Sequence, residues 1–101
     1  MKKINIIKES REFTEIINKK NSKRNKYYSM YYVKKNNEYI RFGISIPKKT
    51  GTAVTRNKIK RQIKNIIDLN KKEINNNYNY VIIVKKEIVK LNYQEKEKEL
   101  M

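Results

Sequence analysis

Ile40-Arg41-Phe42-Gly43-Ile44-Ser45-Ile46-Pro47-Lys48-Lys49-Thr50-Gly51-Thr52-Ala53-Val54-Thr55-Arg56-Asn57-Lys58-Ile59-Lys60-Arg61-Gln62-Ile63-Lys64 changes its apolar period halfway, and that change decides the fold. Through Ile46, the apolar residues Ile40, Phe42, Ile44 and Ile46 alternate with Arg41, Gly43 and Ser45. This is the pattern of a strand with one apolar and one polar face. Pro47 has no N–H to give to a ladder and ends it. Lys48 to Gly51 reads as a turn. From Ala53 to about Ile74 the spacing is helical, with Ile59, Ile63, Ile66, Ile67 and Ile74 in one sector of the wheel, and Thr52 fits the N-cap.

Beyond Asn75-Asn76-Asn77 comes Tyr80-Val81-Ile82-Ile83-Val84, a continuous apolar run. It suits a strand covered on both faces, as expected for a parallel neighbour reached through a helical crossover. Asn92 to Met101 fits a last helix with Tyr93 and Leu100 as its few anchors. On the other side, Ser10 fits an N-cap, and Phe13, Ile16 and Ile17 repeat at helical spacing. Asn21 to Lys26 is polar and reads as a loop. Tyr27 to Val33 suits a strand, and Lys34 to Glu38 has the composition of a hairpin connection. The expected fold is α+β, a single two-layer domain over residues 1–101. The order is α-β-β-(β)-α-β-α, allowing a third short strand near the second, in a small mixed sheet.

A chain of 101 residues buries only a small core. It has no cysteine and no histidine, which removes disulfides, thiol nucleophiles and the commonest general base. No apolar run approaches a membrane span or a signal segment, so the expectation is a cytoplasmic protein with no membrane partner. Lys and Arg number 26 against 10 Asp and Glu, a formal charge of +16. An AT-rich genome raises lysine and asparagine but does not remove acids. Self-repulsion at this density points to a polyanionic partner, nucleic acid before an anionic membrane.

The charge is organised. Five of the nine residues from Arg56 to Lys64 are cationic, and no acid lies between Glu38 and Asp68. Asn57, Lys60, Arg61 and Lys64 fall roughly opposite the isoleucine sector, while Arg56 falls near its border. Solvated helix faces usually mix signs for i,i+4 pairing; like charges at that spacing favour a bound anion. The helix N-terminus favours the same ligand.

Phe42 to Arg61 resembles the signature of the bacterial ribonuclease P protein family. In that family a strand ends in Gly-x-Ser and is followed by Lys-Lys-x-Gly, Ala-Val and Arg-Asn-x-x-Lys-Arg. Here these are Gly43-x-Ser45, Lys48-Lys49-x-Gly51, Ala53-Val54 and Arg56-Asn57-x-x-Lys60-Arg61, in order and without gaps. The flanks are similar too, with a short helix bearing an early Phe before the sheet and an apolar strand and short helix at the end.

The resemblance implies a protein subunit of ribonuclease P. In that family the RNA is the catalyst, so no catalytic side chain is expected. The protein assists substrate binding and helps the RNA hold its fold and metal ions. Arg56, Asn57, Lys58, Lys60, Arg61 and Lys64 would contact or neighbour the ribonuclease P RNA. The single-stranded 5′ leader of precursor tRNA would lie in a cleft between the first helix and one sheet face. Phe13, Tyr31, Arg41, Ser45, Lys48 and Lys49 match that cleft. Magnesium would be required by the RNA and no cofactor or metal held by the protein, a monomer in a 1:1 complex. The family crossover is left-handed, against the general rule. Lys58 and Lys64 stand where the family usually has arginine, which keeps the charge and loses the bidentate fork. Ile17 stands where many members have a second aromatic.

Rival functions are weaker. An autonomous nuclease needs clustered carboxylates or a base, and Glu9 with Glu12, or Glu95, Glu97 and Glu99, read more simply as solvated faces. A general RNA-binding or ribosomal-type protein has no reason to keep both motifs in order. Sequence-specific DNA binding lacks helix-turn-helix spacing.

Overall fold

The apolar run becomes strand β4 (Tyr78–Val84), which takes an interior place in the sheet because both of its faces need cover. The computed structural model describes residues 5–35 and 39–101. Within it, α1 (Ser10–Asn18) precedes β1 (Ser22–Arg24), β2 (Tyr28–Lys34) and β3 (Phe42–Ser45). Then come α2 (Ala53–Leu69), β4 and α3 (Tyr93–Leu100). The sheet order is β1-β2-β4-β3. β4 runs antiparallel to β2 and parallel to β3, and α2 makes the crossover between β3 and β4.

This order corrects the expected hairpin. β2 and β3 follow one another in sequence, but β4 lies between them, so the link after Lys34 joins non-adjacent strands. Residues 36–38 of that link lie outside the described residues. An extra short strand exists, but before the first expected strand rather than near the second: β1 lies inside the stretch read as a loop and pairs Ser22 with Tyr31 and Arg24 with Ser29.

α2 packs Ile59, Ile63, Ile66 and Ile67 against the face formed by Phe42, Ile44, Ile82 and Val84. Its N-cap is as expected, with Thr52 Oγ1 accepting from the Thr55 N–H at 3.3 Å. The helix stops at Leu69, five residues before the expected end, and Asn70 caps it. Ile74 still packs on the same core from an extended segment. The opposite face holds a smaller cluster, in which Ile7, Ile16 and Val81 are buried beneath α1. Ser10 is the first helical residue rather than the cap; Glu9 holds the cap position without a side-chain hydrogen bond. The segment before α1 seals the outer edge of β3, since the Ile7 N–H donates to Phe42 O at 2.9 Å and the Asn5 amide to Ile40 O at 2.7 Å.

α3 begins in a capping box between Asn92 and Glu95. Leu100 anchors it in the core with Tyr93 beside it, as expected. Among the described residues no helix is long and apolar enough to cross a membrane.

Candidate RNA interface

Two surfaces carry the residues singled out by the sequence, and the sheet separates them. On the α2 side, Asn57, Lys58, Lys60 and Arg61 are exposed and Lys64 half-buried, all turned away from the buried isoleucines. Arg56 is half-buried and its Nε is shielded from solvent without a hydrogen-bond partner among the described residues, consistent with a place at the border of the apolar sector. α2 therefore presents cations that no ion pair offsets among the described residues, a fit for phosphate oxygens.

On the α1 side, strand register arranges the sheet face in rows. One row runs Ser22, Tyr31, Val81, Gly43, and α1 lies over it. The outer edge of the Phe13 ring meets the backbone at Gly43, leaving no room for a side chain. The next row runs Arg24, Ser29, Ile83, Ser45. Arg24 is exposed and the other three are half-buried, so this strip of the face remains open. It offers two hydroxyls, an apolar floor and a cation. Arg24 also reaches Tyr31, with a hydrogen bond of 3.3 Å to the hydroxyl and its guanidinium 5.8 Å from the ring centre.

The structure thus brings Phe13, Tyr31 and Ser45 onto one face beside α1, and Arg41 joins them at the other end of β3. Arg41 does not stand free there. Its guanidinium pairs with the Glu12 carboxylate from α1 and also reaches Ile6 O at 3.4 Å. Its backbone N–H donates to the side chain of Asn79, a buried residue of β4, at 3.0 Å. Lys48 and Lys49 are exposed on a one-turn 3-10 helix that leaves the sheet just past Ser45. That turn leads directly into α2, so it connects the two surfaces.

Three residues went unread in the sequence. Arg24 and Ser29 face the open row, but a three-residue strand shows too little alternation to be recognised. Lys96 of α3 is buried, with only 6% of its surface exposed, and its ammonium donates to Gln62 Oε1 of α2 at 2.8 Å. Burial lowers its pKa, and the neighbouring charge of Lys58 lowers it further.

Comparison with known proteins agrees with this architecture. The ribonuclease P family model matches residues 1–101. The ribonuclease P protein component of Mycoplasma mycoides is 41% identical over 102 residues, covering 100% of this chain and 94% of that one. The fold is shared as well: the Staphylococcus aureus RNase P protein superposes with a TM-score of 0.88 at 29% identity, over 95% of this chain and 88% of that one. The Thermotoga maritima RNase P protein gives 0.84 at 28% identity, over 93% and 89%. By sequence along its whole length and by fold, the chain belongs to the ribonuclease P protein family.

Proposed function

We propose that this protein is the RNA-binding subunit of a ribonuclease P, holding the catalytic RNA on α2 and the 5′ leader of precursor tRNA in the cleft beside α1. It acts in the cytoplasm as a monomer in a 1:1 complex with the RNA. The observation that carries this is the uncompensated basic face of α2, Asn57, Lys58, Lys60, Arg61 and Lys64, set opposite the buried isoleucines. A helix that only needed a solvated outer face would gain from mixed charges at i,i+4 spacing. Phosphates supply the missing negative charge.

The cleft suits a single strand. Tyr31 and Phe13 offer aromatic surface, Ser29 and Ser45 offer hydroxyls, and Arg24 with the Lys48–Lys49 turn supplies cations. None of these groups is arranged for hydrolysis; bond cleavage, and the magnesium it requires, belong to the RNA. The protein contributes affinity and position.

The test is cleavage of a precursor tRNA by a bacterial ribonuclease P RNA at low magnesium, with and without the protein. Stimulated cleavage at the mature 5′ end, with none by protein alone, is expected. Binding without stimulation would reduce the protein to a general RNA binder, and cleavage by the protein alone would overturn the division of labour.

A further inference from the structure

We propose that Lys96 of α3 and Lys58 of α2 form a phosphate site at the junction of the two helices, which holds one phosphodiester of the partner RNA. The inference rests on the RNA-binding role above and extends the binding surface to an element outside the basic helix.

Lys96 lies deep for a lysine, and its hydrogen bond to Gln62 Oε1 uses one of three ammonium donors. No carboxylate pairs with it among the described residues. The acids nearest in sequence are engaged elsewhere: Glu95 caps the helix through the Asn92 N–H, and Glu97 Oε2 accepts from the Asn70 amide at 2.8 Å. A sheltered ammonium with one neutral acceptor is costly to keep charged. Its burial is therefore hard to explain by stability alone, since a methionine would fill the same path without that cost.

The neighbourhood supplies a reason. Gln62 stands one turn beyond Lys58 on α2, so the amide that holds Lys96 also places it next to an exposed lysine of the basic face. Lys58 adds a like charge that disfavours the charged Lys96, as its lowered pKa reflects. One anionic oxygen shared between the two would reverse that repulsion and occupy the remaining donors. Glutamine in this arrangement positions Lys96; the two lysines bind.

The test uses the full chain and ribonuclease P RNA, with Kd measured across a salt series. Lys96→Met is expected to weaken binding about ten-fold at low salt, the loss of one charge-assisted contact. It should also reduce the steepness of log Kd against log salt by roughly 0.7 to 0.9. Lys58→Met with Lys96→Met should cost less than the sum of the single changes, because both act on one phosphate. A folded Lys96→Met protein with the unaltered slope would overturn the site while leaving the RNA-binding role intact. Loss of salt dependence in the unaltered protein would instead strike at that role. If Lys96→Met fails to fold, Gln62→Glu decides: a carboxylate there neutralises Lys96, so the slope should fall by the same amount, and an unchanged slope overturns the proposal.

Discussion

The Phe13 ring closes on Gly43 so tightly that a Cβ at that position would lie 2.6 Å from Phe13 Cζ. The contact sets the distance between α1 and the sheet, because Phe13 is fixed in the helix and Gly43 in β3. Gly43→Ala must push the ring outward or shift the strand. The expected cost is about 1–3 kcal/mol of folding stability, as for other overpacked sites. The proposed leader cleft should suffer as well, with weaker binding of precursor tRNA carrying a leader and little change for mature tRNA. Thermal unfolding together with affinities for the two RNAs checks both. An alanine protein with unaltered stability would mean that α1 is not held at this spacing.

Glu12 and Arg41 make a second link between α1 and the sheet, and each is about a quarter exposed. A carboxylate paired with the guanidinium competes with any phosphate that approaches it. Glu12→Gln is therefore expected to tighten binding of leader-bearing RNA two- to five-fold, the scale of a partly exposed ion pair. Arg41→Ala should weaken it. Weaker binding by Glu12→Gln would show that the pair positions Arg41 instead of restraining it.

Much of this architecture was legible because the apolar residues keep strict periods. Ile40 to Ile46 alternate, and Ile59, Ile63, Ile66 and Ile67 mark the buried face of α2. Sheet order was not legible, because alternation tells which face a residue takes and says nothing about which strand lies beside it. Ile74 matched the helical sector by spacing yet reaches the core from beyond the helix. Side-chain pairs between elements were equally hidden: nothing in the sequence joins Glu12 to Arg41 or Gln62 to Lys96. The basic face of α2 was readable since it lies within one helix. The open row Arg24, Ser29, Ile83, Ser45 was not legible, because it draws on all four strands, and family likeness pointed to Ser45 alone of its members.

Arg24 gives that row its cation and sits against Tyr31. Arg24→Ala removes both the charge and the contact that orients the ring. Binding of leader-bearing precursor tRNA is expected to fall two- to five-fold, the scale of one exposed charge contact. Affinity for the ribonuclease P RNA should hold, since α2 lies on the other face of the sheet. Equal losses for the two RNAs would show that the row acts only through general charge.

Salt should separate organised from scattered charge on the basic helix. If about five cations such as Arg56, Lys58, Lys60, Arg61 and Lys64 meet phosphates, log affinity for the RNA falls against log salt with a slope of roughly −3.5 to −4.5. A slope near zero would leave no electrostatic basis for the interface. Lys90 is exposed and lies outside α2, and serves as the comparison. Arg56→Ala should weaken assembly with the RNA far more than Lys90→Ala, because Arg56 stands half-buried in the first turn of α2 and its Nε has no hydrogen-bond partner among the described residues, which leaves the guanidinium to an RNA phosphate. Equal effects would mean that net charge attracts the RNA without any preferred docking of α2. Unequal effects, with the slope reduced only by the α2 change, would assign the released counterions to that helix.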